Sequence, residues 1–225
     1  MFLFIGTVHS VARAEVHSEA PRVRDGVIDL TDWDFSVGPV ELRGEWRFFD
    51  FQYLYGAEVY QEASRSRLIQ VPEGWQLEQD QSQGNGGSVG YGTYVVTLRL
   101  PKTITQDELA LYVKVIGWAT EIELVDSAQV LVRYGKLGDS RKTDVPEWWA
   151  TVVPLSIPED LSSSSLTLAI RVSNYHGTSL GGLFSSVYLG QKASLTKSLE
   201  TDFRYDSIAI AILILLGFYH LVFYA

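Results

Sequence analysis

From Tyr94 to Leu189 the chain is written in short runs of alternating apolar and polar residues. Tyr94-Val-Val-Thr-Leu-Arg-Leu100 alternates and stops at Pro101, and Leu109-Ala-Leu-Tyr-Val-Lys-Val115 repeats the pattern. Thr120 to Val125, Gln129 to Tyr134, Leu166 to Val172 and Ser185 to Leu189 follow. Each run is rich in β-branched and aromatic residues, and Gly, Pro, Asp or Ser divides it from the next at intervals near ten residues. That spacing predicts strands of a sandwich. Before residue 192 no sustained helical periodicity appears, although Phe51 to Ala63 has room for a helical turn or two. The pattern predicts an all-β, antiparallel sandwich of jelly-roll type. Asp80 to Gly92 and Asn174 to Gly182 are Gly-rich and polar and read as loops, and Ser162 to Ser165 as a turn.

The pattern changes abruptly near the end. Ile208 to Ala225 contains no Lys, Arg, Asp or Glu over 18 residues. As a helix this run measures about 27 Å, close to the roughly 30 Å hydrocarbon core of a bilayer. Residues 207–225 are therefore expected to be a transmembrane helix, with residues 200–206 a short charged stalk leading into it. At the other end Phe2 to Val11 is mostly apolar, and Ala12-Arg13-Ala14 has the small-x-small form of a signal-peptidase site, although a basic n-region is missing. Residues 1–14 read as a signal peptide; the competing reading is a buried first strand. With a signal, residues 15 to about 206 lie outside the cytoplasm.

Composition narrows the function classes. Between Glu15 and Asp206 lie all 27 acidic residues and 17 of the 18 basic ones, a formal charge of −10. This balance argues against nucleic acid and against docking of the whole domain on anionic lipid. Cysteine is absent, so an exported domain must be held by its core, which fits a bacterial periplasm.

Several segments in fixed order carry a resemblance. Gly26-Val-Ile-Asp-Leu-Thr-Asp-Trp33 leads into Val40-Glu-Leu-Arg-Gly-Glu-Trp-Arg-Phe48; then come Val71-Pro-Glu-Gly-Trp75 and Gly90-Tyr-Gly-Thr-Tyr94. Val172-Ser-Asn-Tyr-His176, Gly181-Gly-Leu183 and Tyr188-Leu-Gly190 complete the series, and Phe218-Tyr-His-Leu221 closes the apolar helix. Residues 25–192 with the helix resemble the extracellular jelly-roll sensory domain and first membrane helix of bacterial seven-transmembrane receptors with diverse intracellular signalling modules. More distantly they resemble galactose-binding-like, sugar-binding domains attached to β-galactosidase-like glycosidases. The resemblance implies an input region in the bacterial inner membrane, whose relatives continue into six more helices and a cytoplasmic kinase or cyclase output. It implies a small polar ligand, such as a carbohydrate, contact with the lipid bilayer, and room for a homodimer in the full receptor. An Asn-Gly turn usual in that family is replaced here by Val125-Asp-Ser-Ala128.

The candidate site residues are few. Trp46, Trp75 and Tyr94 sit in or beside strands and read as core aromatics. Trp118, Trp148 and Trp149 flank turns, where an indole face stacks on a sugar ring or simply covers an edge. Asn174, Tyr175 and His176 end a strand before a Gly-rich loop, a place where binding groups collect on a rigid scaffold; Asn174 equally suits capping its own turn. Gly177-Thr-Ser-Leu-Gly181 matches the G-x-S-x-G of hydrolases, but a strand follows where a helix is required, and the only later histidine is His220 inside the apolar run. His9, His17, His176 and His220 form no metal cluster, Asp32 and Asp34 read as turn carboxylates, and the pairs Glu41/Glu45 and Glu121/Glu123 as solvent-facing strand positions. His220 belongs near an interface with Tyr219 and Tyr224. No cofactor is implied and no catalytic constellation stands out. An anchored single-pass carbohydrate-binding module and an exported hydrolase built on Ser179 are the competing functions.

Overall fold

The computed structural model describes residues 20–75, 77, 87–102, 109–155, 165–177 and 181–224. Eleven strands are present among them: β1 (Val27–Asp29), β2 (Val40–Glu41), β3 (Gly44–Asp50), β4 (Arg67–Val71), β5 (Gly90–Arg99), β6 (Leu109–Ile116), β7 (Ala119–Leu124), β8 (Gln129–Tyr134), β9 (Trp149–Pro154), β10 (Ser165–Asn174) and β11 (Val187–Gln191). The larger sheet has the order β4-β3-β5-β10-β7-β8, with β1 added parallel to β5; the smaller has the order β2-β11-β6-β9. All other pairings are antiparallel. The expected sandwich is therefore present, and β5 begins four residues before Tyr94, taking Gly90 to Gly92 out of the expected loop. The expected signal peptide, residues 1–14, lies outside the described residues.

Alternation places Phe48, Tyr94, Val96, Leu98, Ile122, Leu168, Ile170 and Val172 of the large sheet against Leu109, Leu111, Val113, Val187 and Leu189 of the small one, all fully buried. Trp46, Trp75 and Tyr94 lie in this core. Their polar tips are satisfied: Trp46 Nε1 donates to the Leu42 carbonyl at 2.8 Å, Trp75 Nε1 to the Ser88 carbonyl at 2.8 Å, and Tyr94 Oη accepts from Leu183 N at 3.2 Å. An aromatic body with a tethered tip is how such residues fit an interior.

The outer face of the large sheet is buried as well. Residues 51–66 fold across it as α1 (Glu58–Gln61) and a 3-10 turn, the one or two helical turns expected there. They close a second apolar cluster of Phe49, Leu54, Val59, Val95, Val125 and Ala169. Below it lies Arg171 of β10, fully buried. Its Nη1 donates to Glu121 Oε1 at 2.8 Å, its Nη2 to Glu123 Oε2 and its Nε to the Leu54 carbonyl at 2.8 Å. The guanidinium lies 3.7 Å from the Tyr55 ring centroid. Glu121 also accepts from Arg133 Nε, and Glu123 from Gly56 N at 3.1 Å. The expectation that Glu121 and Glu123 face solvent is thus corrected. Register sets Glu121 directly opposite Arg171, and residues 51–57 seal the pair from water.

Where the Asn-Gly turn was missing, the chain makes a 3-10 turn at Val125–Ser127 and puts Ala128 in the left-handed region at φ 50°. Asp126 holds this turn in place, accepting from Tyr60 Oη at 2.7 Å and from Thr167 N at 2.5 Å.

After β11 the chain reverses into α2 (Lys192–Tyr224), one uninterrupted helix of 33 residues. The expected stalk, residues 200–206, is helical and continuous with what precedes and follows it. Leu195 and Leu199, four apart on one helix face, pack on Ala110, Tyr112, Ala150, Val152 and Tyr188 of the small sheet. One turn further, Tyr112 Oη donates to Asp202 Oδ2 at 2.8 Å and Lys114 Nζ lies 3.3 Å from the same oxygen. The Tyr112 hydroxyl is the main cause holding the Asp202 carboxyl below its ordinary range. From residue 203 on, the helix is exposed, with an 18-residue window of mean hydropathy 2.1, long and apolar enough to cross a membrane.

Removing one partner from a buried ion cluster costs about 3–5 kcal/mol. Arg171→Ala should therefore lower the Tm of the detergent-solubilised chain by about 6–20 °C, read by tryptophan fluorescence. A loss of a degree or two would contradict the burial described.

Candidate functional site

One end of the sandwich gathers every tryptophan and loop candidate. There the turn between β6 and β7 (Gly117, Trp118), the loop from Gly135 to Trp148, the end of β10 and residues 181–186 converge. Trp118 is half-buried against the main core, and its ring meets Phe184 edge-on at 6.0 Å and 67°. Its Nε1 is buried and has no hydrogen-bond partner among the described residues. Two glycines make room for the indoles. A Cβ at Gly177 would come within 2.1 Å of the Trp118 ring, and one at Gly117 within 2.7 Å of the Trp148 ring. Trp148, seated over Gly117, is 72% exposed. Trp149 opens β9, its backbone in register with Ile116.

Beside the indoles stands a carboxylate that no local sequence signal marks. The Asp144 side chain is fully buried. Its Oδ1 accepts from Ser173 Oγ at 2.6 Å and its Oδ2 from Tyr175 N at 3.0 Å, while its carbonyl lies 3.0 Å from His176 Nε2. Gly138 N donates to Ser173 Oγ at 3.2 Å and Tyr53 Oη to the Gly138 carbonyl at 2.7 Å. Tyr53 in turn packs on Tyr91 at 4.6 Å. This network pins the loop from Gly135 to Trp148 across the sheet end. Burial pushes the Tyr53 phenol well above its ordinary pKa and the Tyr175 phenol up to about 12. Both hydroxyls stay protonated at neutral pH and can donate.

The structure divides the Asn174–His176 triplet. Asn174 is fully buried, donates through Nδ2 to the Ser88 carbonyl at 2.9 Å and accepts at Oδ1 from Gly177 N at 2.7 Å. It closes its own turn and ties it to residue 88. Tyr175 and His176 keep accessible surface, with 35% of the His176 side chain exposed. The next residue, Gly177, lies against the Trp118 ring, so Trp118, Tyr175 and His176 stand at one end of the sandwich and carry aromatic and polar groups of the kind a polar ligand uses. Ser179 of the hydrolase-like motif lies outside the described residues, and the sequel to that motif is β11. Among the described residues no group of His, Asp and Glu could hold a metal ion. Asp34 accepts from Ser36 N at 2.8 Å, an ordinary turn contact.

No protein-family model matches the chain, and no curated protein matches its sequence. Solved structures with a similar fold include a glycosyl hydrolase family 2 member from Bacteroides cellulosilyticus DSM 14838, with 14% identity and a TM-score of 0.52 over 68% of this chain and 20% of that one. Another is Bacteroides uniformis beta-glucuronidase 2 bound covalently to cyclophellitol-6-carboxylate aziridine, with 19% identity and a TM-score of 0.50 over 68% of this chain and 18% of that one. The chain thus corresponds to about a fifth of each hydrolase. At these identities the likeness shows the sandwich fold alone.

Losing the Asn174 side chain leaves buried groups unpaired, at about 1–3 kcal/mol. Asn174→Ala should lower the Tm by about 2–10 °C in thermal unfolding of the detergent-solubilised chain. An unchanged Tm would free Asn174 for ligand contact.

Proposed function

We propose that the chain is the extracytoplasmic, ligand-sensing input region of a membrane signalling receptor. In this reading residues 15–206 lie on the periplasmic side of a bacterial inner membrane and α2 crosses it. The observation that carries the reading is the way α2 meets the sandwich. A tether that only anchors a binding module needs no docking. Here Leu195, Leu199 and Asp202 hold the helix to β6, β9 and β11, and the same helix continues without a break into the apolar stretch. A tilt of the sandwich is then a tilt of the membrane helix, the mechanical requirement for an input domain. The sequence resemblance to seven-transmembrane receptors supports the same reading.

The ligand class we assign is a carbohydrate or related polyol. Trp118 offers a ring edge, and Tyr175 and His176 offer hydrogen-bonding groups at the same end of the sandwich. The fold is one that glycosidases also carry, which is consistent with a sugar ligand. The carboxylate pair of β7, Glu121 and Glu123, is committed to Arg171.

A thermal-shift and calorimetry screen of the detergent-solubilised chain across sugars, nucleosides and organic acids tests this. A ligand at a hundred times its Kd adds about 2.7 kcal/mol, so a sugar or polyol should raise the Tm by about 5–10 °C. His176→Ala should abolish the rise while lowering the ligand-free Tm by no more than about 6 °C, the loss of its one hydrogen bond to the Asp144 carbonyl. Silence across the screen would remove the ligand assignment.

A further inference from the structure

The direction of α2 decides which end of the sandwich faces the membrane. β11 runs from Val187 to Gln191, the chain turns back, and α2 descends in the same sense as β6. Leu195 packs beside Ala110 and Tyr112, and Asp202 meets Tyr112 and Lys114. The C-terminal end of β6, with the turn at Gly117 and Trp118, therefore points where the apolar helix goes. Trp118 is four residues beyond Lys114, about 13 Å of strand at roughly 3.3 Å per residue. That is the rise of about nine helical residues, counted on from Asp202. The irregularity between Val113 and Ile116 makes that reach an upper limit. The loop end then lies level with Ile208 to Ile210, where the apolar run starts.

We infer that this loop end rests on the outer surface of the bilayer, with Trp148 seated at the boundary between headgroups and hydrocarbon. The inference rests on the proposed reading that α2 crosses the membrane, and commits to lipid as the occupant of this surface. Trp148 and Val145 are 72% and 52% exposed at the tip of the loop. An indole held over Gly117 is rigid and amphipathic, the type of side chain that settles at a membrane interface. The charge of the loop also departs from that of the domain. Lys136, Arg141 and Lys142 are exposed beside two exposed carboxylates, Asp139 and Glu147, the latter accepting from Gly135 N at 2.7 Å, while Asp144 is buried. Local cations beside an interfacial indole suit lipid phosphates even on an acidic domain. A groove of about 290 Å³ opens between sheet and helix above that level, lined among others by Lys114, Phe203 and Tyr205 and by the carboxylates Asp202 and Asp206. Phe203 and Tyr205 are themselves 56% and 69% exposed just above the apolar run. Lipid contact takes Trp148 out of the ligand rim and leaves Trp118, Tyr175 and His176 to it.

The test uses the full chain reconstituted in vesicles of phosphatidylcholine with a minor fraction of phosphatidylglycerol, carrying a nitroxide on the upper acyl chain. Trp148→Phe removes the indole at an exposed position, so it should keep the wild-type Tm. We expect the lipid nitroxide to quench part of the wild-type tryptophan emission, and Trp148→Phe to lose more than half of that quenched component. If the chain floats with the vesicles but wild type and Trp148→Phe are quenched alike, with Trp148 open to aqueous iodide, the inference falls and the membrane reading stands. If the chain does not float with the vesicles, both fall.

Discussion

The docking of α2 on the small sheet is the constraint from which the functional account follows. Two leucines four residues apart and one carboxylate held by a phenol and an ammonium fix the helix to β6. The contacts are modest: burying Leu195 is worth about 1.5–3 kcal/mol, and the Asp202 pair is partly exposed and worth less than a buried one. Their effect is geometric. A continuous helix converts the contact into an axis, and the axis sets the height and orientation of every loop at the tryptophan end.

For that axis to carry information, the sandwich must move as a body. β10 provides the stiffness, being paired on both sides and covered on both faces. Apart from Ala169 its outward residues are polar, so each of these needed a partner once residues 51–66 and the loop from Gly135 to Trp148 closed over them. Arg171 found Glu121 and Glu123, and Ser173 found Asp144 and Gly138. The same two networks hold the covers in place, which links the rim at Tyr175 and His176 to the centre of the sheet.

The strands from β5 to β8 and β10 were legible because period-two alternation is a local property, and the core roles of Trp46, Trp75 and Tyr94 followed from their places in or next to strands. The fate of Glu121 and Glu123 was not legible. Their partner is about 50 residues away and the lid that buries them comes from another segment, so both looked like ordinary solvent-facing positions. Asp144 left no trace either, since a buried carboxylate and a loop carboxylate read alike in a polar stretch. The docking of α2 did leave a signal, Leu195 and Leu199 on one helix turn, overshadowed by the charges around them. The tryptophans at 118 and 148 were visible as surface chemistry, but their height relative to the apolar helix exists only once the chain reversal at Gln191 is known.

Because the chain has no cysteine, a pair can be introduced cleanly for spin labelling. Gln129→Cys on β8 and Thr201→Cys on α2 are both exposed positions, and pulsed electron spin resonance in nanodiscs reads the distance between them. A rigidly docked helix gives one narrow distance distribution, which broadens when Asp202→Ala and Leu199→Ala release the clasp. A distribution already broad in the otherwise unaltered chain would show a flexible tether and contradict the account.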